Sequence, residues 1–340
     1  MALGYECDTR FIAAHHQPAV LIDLAMSRGI DSHQLLRGTG LFYEDVSAGR
    51  ARVSPAQSLM LIANARRLLA ADDSSFLFGQ RLLPGHYGDV SHALNHAASL
   101  HQALDVLQQF RALLCPLLTP RVLHDQKQVH LYWTDSCGAG EQLRFLIEAN
   151  LTAVVALTRR LSGNRLPWRF HLAYAQPRHV EQYWVHLGEE LAFESQMTMM
   201  SLPIDYLHQP WPTASATAGQ VALQASQAQL EALGWSRSFI DQLYEHLETH
   251  IRDPLSLERV AQFFDMSPAT FKRKLHKHGT GFQEQLDQVR KHVALYLYRM
   301  KGYGNEEVAN YLRFNDTTNF RRSFKRWTGL APSSLGQLFD

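Results

Sequence analysis

An internal repeat in the last third of the chain constrains the fold more than any other feature. Residues 258–266 (Glu-Arg-Val-Ala-Gln-Phe-Phe-Asp-Met) are echoed by residues 306–314 (Glu-Glu-Val-Ala-Asn-Tyr-Leu-Arg-Phe), with the shared Val-Ala pairs 48 residues apart. Each copy predicts a short amphipathic helix whose Val-Ala pair faces inward. A small residue on that face allows a second helix to cross closely.

The repeat continues through a polar turn into a second helix. Ser267 followed by Pro268 is typical of a helix N-terminus, and Asp316 or Thr317 can cap the equivalent helix. Both second helices carry apolar residues four positions apart, namely Phe271 and Leu275 in the first copy and Phe320 and Phe324 in the second. A short helix, a tight turn and a second helix make a helix-turn-helix unit.

The exposed faces of these second helices indicate DNA binding. Residues 272–278 (Lys-Arg-Lys-Leu-His-Lys-His) and 321–326 (Arg-Arg-Ser-Phe-Lys-Arg) contain no acid. A helix in the major groove lies between two rows of phosphates, which repel acidic side chains. One basic helix alone is as consistent with a solvated surface, but two at matched positions favour DNA.

The two units are joined by a predicted long helix. Its continuous apolar stripe consists of Phe282, Leu286, Val289, Val293, Leu297 and Met300. If that helix holds the units about 34 Å apart, which is one turn of DNA, both second helices face the same side of the duplex.

Charge divides the chain into two parts. From Arg237 onward there are 16 Lys and Arg against 12 Asp and Glu, whereas the rest has 17 against 20. This asymmetry is expected when only one domain meets phosphate. Residues 209–219 combine two prolines with small residues and no charge, which predicts a break. We therefore expect domains at 1–207 and 236–340, joined by a soft linker region at 208–235.

The first domain mixes helical and strand periods. Apolar residues recur at helical spacing over 100–114 and 143–161, and they alternate over 128–133 and 168–174. The predicted fold class is an α+β N-terminal domain followed by an all-α domain with two helix-turn-helix motifs and a long linker helix. With no signal peptide and no apolar run of membrane length, a cytoplasmic protein is expected.

The C-terminal motifs resemble those of a known family. Residues 236–338 resemble the DNA-binding domain of AraC/XylS-type regulators, above all in 319–332 (Asn-Phe-Arg-Arg-Ser-Phe-Lys-Arg-Trp-Thr-Gly-Leu-Ala-Pro) and 266–275. By position, the resemblance implies these base-facing residues: Ala269, Lys272 and Arg273 in the first unit, and Thr317, Thr318, Arg321 and Arg322 in the second. Lys277 and Lys325 are expected to contact phosphate.

Two positions depart from the family pattern. Arg313 stands where the family usually has Gly, and Leu335-Gly336 stands where it usually has an aromatic residue followed by Arg.

The first domain also resembles a known type. Residues 18–205 resemble the arabinose-binding-like domain of regulators related to the ornithine-utilisation regulator, chiefly in 31–41, 87–94 and the 100–114 helix. The resemblance implies a domain that binds a small-molecule effector and forms a homodimer. Together the two resemblances imply a regulator, expected to be an activator, that binds double-stranded promoter DNA and contacts RNA polymerase.

Other interpretations stay open. A ligand-independent architectural DNA binder is one, and a DNA-repair or modifying enzyme is another. The enzyme interpretation lacks support because the sequence contains no nucleotide-binding or nucleophile motif and its three cysteines are far apart. A cluster of histidines invites a metal site but is more typical of polar surface: His86, His92, His96 and His101. Neither a metal nor a cofactor is predicted.

Overall fold

The computed structural model describes residues 4–333, whose buried apolar side chains form two separate cores. The larger core extends from Tyr5 to Leu230, and the smaller one from Phe239 to Phe324. A core of its own in each part is the physical mark of two domains. Within residues 4–333 no helix combines the length and apolarity needed to span a membrane.

The N-terminal domain is a mixed α/β unit. Its strands are β1 (Ile12–Ala13), β2 (Arg52–Val53), β3 (Leu118–His124), β4 (Gln128–Asp135), β5 (Arg169–His171), β6 (Leu191–Ala192) and β7 (Met199–Pro203). Its helices are α1 (Gln17–Ser27), α2 (Ser32–Leu35), α3 (Tyr43–Ser47), α4 (Pro55–Leu69), α5 (Ser74–Leu82), α6 (Asp89–Asn95), α7 (Leu100–Gln109), α8 (Arg111–Leu114), α9 (Leu143–Ser162), α10 (Val180–His186) and α11 (Ala216–Leu233).

Two sheets organise this domain. Strands β1 and β2 form a small antiparallel pair, and the others form one sheet in the order β3-β4-β7-β5-β6. Only β5 and β6 run parallel in the larger sheet. The strand predicted at 128–133 lies within β4, and the helix predicted at 143–161 is α9.

Two N-terminal elements differ from the expectation. The helix predicted over 100–114 is two helices, which meet at Phe110 and end before Cys115. Cys115 precedes Pro116, and a residue before proline is disfavoured in helical conformation. The strand predicted at 168–174 is shortened to the three residues of β5.

The region 208–235, predicted to be a soft linker, contains a long helix of the first domain. Residues 216–233 form α11, which packs against α6 and buries Ala222, Ser226 and Leu230. Small residues that indicated a loop in the sequence here allow close helix packing. The helix ends at Gly234 in a left-handed conformation, so only a few residues separate α11 from the second domain.

The C-terminal domain is entirely helical within residues 239–333. Its helices are α12 (Phe239–Thr249), α13 (Leu257–Phe263), α14 (Pro268–Lys277), α15 (Phe282–Lys301), α16 (Asn305–Tyr311) and α17 (Thr317–Thr328). The predicted pair of helix-turn-helix units is confirmed, as α13–α14 and α16–α17. The linking helix α15 has 20 residues, which corresponds to about 30 Å.

Buried ion pairs join the two domains. Asp241 in the first turn of α12 is 2% exposed and meets Arg111 at 2.8 Å and Arg121 at 2.6 Å. The Arg121 guanidinium also lies 3.8 Å from the centre of the Tyr244 ring, whose hydroxyl is 2.8 Å from His292 Nδ1 on α15. One carboxylate thus neutralises two arginines of the first domain from within the second.

Candidate nucleic-acid interface

Helix α14 presents the first predicted DNA-reading surface. Its buried face, Phe271 and Leu275, packs into the second core, and Ser267 caps its N-terminus by accepting from Thr270 N. On the opposite face Ala269, Lys272 and Arg273 are exposed. Their spacing of three and four residues places them on one side of the helix. The exposed His276 continues that side, although sequence reasoning did not select it.

Helix α17 presents the second surface in the same way. Phe320 and Phe324 are fully buried, and Asp316 caps the helix by accepting from Asn319 N at 2.7 Å. The predicted readers lie on the outer side, where Thr317 is half-buried and the others are exposed: Thr318, Arg321, Arg322 and Lys325. The first residues of α17, like those of α14, are the ones that a helix inserted in the major groove presents to base edges.

Most of the basic side chains on these two faces have no partner of their own. Within residues 4–333, no ion pair or hydrogen bond involves the side chains of Lys272, Arg273, Arg321, Arg322 or Lys325. By contrast, Arg326 beside them pairs with Asp287 of α15 at 2.9 Å. Unpaired cations on two equivalent helices form a surface that attracts phosphate and can donate to base edges.

Lys277 differs from the other predicted contacts because it is already paired. Its ammonium lies 2.5 Å from Asp8 and 3.2 Å from Glu6. Lys274, one helical turn earlier, lies 2.9 Å from Glu6 and over the Phe239 ring at 4.6 Å. Residues 4–8, which we call the N-terminal arm, therefore place two carboxylates against the C-terminal end of α14.

Backbone pairing holds the arm in place. Tyr5 N donates to Arg237 O at 3.2 Å, Phe239 N donates to Tyr5 O at 2.9 Å, and the Tyr5 hydroxyl donates to Pro116 O at 2.9 Å. Gly4 is required here, because a Cβ at that position would lie 2.5 Å from Arg237 O. The arm thus pairs with the residues that begin α12 while its acids reach α14.

The charges of this contact reinforce one another. Burial alone would raise the pKa of Glu6, but the hydrogen bonds and charges of Lys274 and Lys277 outweigh it and hold that pKa below its ordinary value. Burial would likewise lower the pKa of Lys277, yet Asp8 and Glu6 outweigh it and raise that pKa. The hydrogen bond from Lys277 lowers the pKa of Asp8. All three groups are therefore charged at neutral pH.

The turn of each helix-turn-helix unit contains a non-glycine residue in left-handed conformation. Asp265 has φ 57° and Arg313 has φ 59°. The departure from Gly at position 313 therefore falls on a backbone conformation that favours glycine. Arg313 Nη1 donates to Arg252 O at 2.9 Å, which partly offsets the strain. The other departure, Leu335-Gly336, lies outside the described residues.

The remaining candidates are the histidines and cysteines of the first domain. No group of three or more His, Cys, Asp or Glu residues that could hold a metal occurs within residues 4–333. Cys7, Cys115 and Cys137 are free and buried, as expected, and burial raises the pKa of Cys115 to about 12. Such thiols are inert.

Comparisons with known proteins agree with this architecture. The family model for the arabinose-binding domain of AraC transcription regulators matches residues 29–211, and one for a helix-turn-helix domain matches residues 260–337. The ornithine utilization regulator of Pseudomonas aeruginosa is 27% identical over 314 residues, which cover 92% of this chain and 93% of that protein.

Two further similarities span nearly the whole chain. A helix-turn-helix transcriptional regulator of Mycobacterium tuberculosis is 23% identical over 342 residues, or 94% of either chain. The crystal structure of the transcriptional regulator CdpR from Pseudomonas aeruginosa aligns with a TM-score of 0.46 and 21% identity, covering 94% of this chain and 98% of that one.

Proposed function

Because the chain belongs to the AraC family of transcription regulators, we propose that it is a promoter-specific activator whose DNA binding is controlled by a small molecule. Members of this family act by binding DNA, so the chain is not an enzyme. The observation that carries the proposal is the pair of unpaired basic faces, on α14 and α17, held by one rigid helix. We place its action in the cytoplasm, on double-stranded promoter DNA.

The proposal assigns two kinds of contact to the two helices. Base edges are read by Ala269, Lys272 and Arg273 from α14, and by Thr317, Thr318, Arg321 and Arg322 from α17. Phosphates are bound by Lys325 and, once it leaves the N-terminal arm, by Lys277. Because the two helices carry different side chains, one chain reads an asymmetric site rather than a palindrome.

The test of base reading compares specific with random DNA. Replacing Arg273 or Arg322 with Ala is expected to cost roughly 1–3 kcal/mol at the specific site and less elsewhere, since a bidentate Arg–guanine pair discriminates between bases. Gel-shift titrations at one stated salt concentration measure both losses. Equal losses on the two DNAs would mean that these arginines contact only phosphate.

The first domain supplies effector binding and dimerisation in this proposal. Trp184 and Val185 are neighbouring exposed apolar side chains on α10, and we place the dimer contact there. The dimer brings the DNA-reading units to the promoter, where they contact RNA polymerase.

Footprinting on the region upstream of the chain's own gene separates the proposal from an architectural role. A discrete protected site supports a specific regulator, whereas uniform protection supports an architectural binder. Sedimentation of the full chain tests the dimer.

A further inference from the structure

A cleft of about 470 Å³ lies in the first domain, between the residues around β1 and the C-terminal end of α11 with Trp235. One wall is formed by β1 and the residues around it, from Arg10 to His16, together with Arg52. The other wall is the C-terminal end of α11 and Trp235. The volume falls within the range of about 300–1,000 Å³ that is typical of small-molecule sites.

The charged residues that line this basic cleft are all of one sign. Arg10 and Arg52 line it, and no Asp or Glu does; His15 and His16 line it as well, but burial lowers the pKa of His16 to about 4, so that ring is neutral at pH 7. Neither Arg10 nor His15 has an ion pair or hydrogen bond through its side chain in residues 4–333. Arg52 donates one hydrogen bond from its guanidinium group to Phe11 O at 3.0 Å. Guanidinium groups without an acid in reach attract an anion, and their planar fork matches a carboxylate.

Apolar and aromatic surface fills the rest of the cleft. Phe11, Leu113, Leu233 and Trp235 line it, and the Phe11 and Trp235 rings meet edge to face at 6.2 Å. A small inorganic anion would leave this surface exposed to water, whereas an apolar body would cover it. The combination of cations and apolar wall therefore selects an amphipathic anion.

We propose that the basic cleft binds an organic carboxylate with an apolar chain or ring, and that this anion is the effector. The second part rests on the proposed function. The carboxylate pairs with Arg10 and Arg52, and its apolar body covers Leu113, Leu233 and the ring of Trp235.

The position of the basic cleft gives the ligand access to the DNA-reading surface. Arg10 follows Asp8 of the N-terminal arm by two residues, and Trp235 precedes Arg237, the backbone partner of Tyr5, by two. A ligand bound to both walls therefore contacts both of the segments that lead to the backbone pairing of Tyr5 with Arg237 and Phe239, and this pairing positions the arm. The arm in turn holds Lys274 and Lys277 on α14.

Calorimetry on the full chain tests the site with probes that separate charge from apolar body. Octanoate and phenylpropanoate carry both, octanol and phenylpropanol carry only the body, and acetate carries only the charge. We expect at least one of the two larger carboxylates to bind, at least tenfold more tightly than its alcohol and than acetate. Arg10→Gln with Arg52→Gln is expected to weaken that binding at least tenfold.

The matched control is Arg67→Gln with Arg81→Gln, two exposed arginines of the same domain without ion pairs in residues 4–333. It removes the same charge and is expected to bind the probe as the unaltered chain does. No binding of either larger carboxylate, equal binding of its alcohol or of acetate, or equal loss in both variants overturns the site.

Promoter affinity with and without the bound probe tests the effector role separately. A change of threefold or more that is lost in Arg10→Gln with Arg52→Gln supports it. Binding at the basic cleft with no change in promoter affinity overturns it, while a clear footprint in the same experiment leaves the DNA-binding function standing. Absence of any footprint, with calorimetric binding intact, overturns the function and not the site.

Discussion

Neutralising the N-terminal arm is expected to tighten DNA binding. In the described structure, Glu6 and Asp8 form ion pairs with Lys277, and Glu6 also forms one with Lys274. DNA must compete with these carboxylates for the end of α14. Glu6→Gln with Asp8→Asn keeps the size of both side chains and removes their charge, so Lys277 becomes available to phosphate.

The magnitude follows from the ion pairs of Lys277. The side chains of Lys277, Glu6 and Asp8 are 37%, 22% and 62% exposed, so each pair is worth roughly 0.2–1 kcal/mol. Releasing two such pairs corresponds to a roughly 2- to 30-fold lower Kd, since about 1.4 kcal/mol is tenfold. One added phosphate contact steepens the dependence of log K on log salt by about 0.9.

Fluorescence anisotropy titrations of a promoter duplex at several salt concentrations measure both quantities. The matched control is Glu194→Gln with Asp205→Asn, which changes the net charge equally at exposed acids with no ion pair in residues 4–333. Adding Lys277→Gln to the arm variant is expected to restore the shallower salt dependence. An unchanged Kd and slope in the arm variant, or the same change in the control, would refute the competition between arm and DNA.

Three further predictions concern stability and pH. Arg313→Gly is expected to be about 1 kcal/mol more stable than Arg313→Ala in urea unfolding, because both lose the guanidinium and only Ala strains the left-handed turn; equal midpoints would contradict this. Asp241→Ala is expected to cost roughly 3–5 kcal/mol because it removes the buried carboxylate that pairs with both arginines, leaving Arg121 without an acid and Arg111 with Glu245 alone, whereas the exposed Asp205→Ala should stay within about 0.5 kcal/mol. The lowered pKa values of Glu6 and Asp8 stabilise the docked arm at neutral pH, and this is lost as pH falls through those lowered values. The fluorescence anisotropy of a dye attached to the chain just before the arm should therefore decrease as the pH is lowered below about 4. A chain with Glu6→Gln and Asp8→Asn should show no such decrease.

Local sequence patterns were sufficient to predict the second domain. Ser267 and Asp316 cap their helices as their residue types favour, and the Val-Ala pairs and Phe320 and Phe324 are buried as the helical period predicts. These features depend on residues within a few positions of one another. Helix-turn-helix units built from such local signals are therefore readable from one sequence.

Contacts between distant residues were not predictable in the same way. Glu6 meets Lys277 across 271 positions of sequence, and no pattern in either segment indicates the other. The small residues within 209–219, the segment predicted to be a break, were ambiguous because Ala, Ser and Gly suit both loops and close helix packing. The segment forms a helix because it packs against α6, a contact with residues distant in sequence.

The fit of Gly4 against Arg237 has a practical consequence for the preparation of this protein. The backbone there is so close that no side chain fits, and Glu6 follows two residues later. Any purification tag or fluorescent fusion joined at residue 1 is therefore within a few residues of Glu6 in the sequence, and Glu6 meets Lys274 and Lys277 on α14. If the arm competes with DNA as predicted, a tag at this position changes the measured affinity, so the tag should be cleaved or moved before binding constants are compared between laboratories.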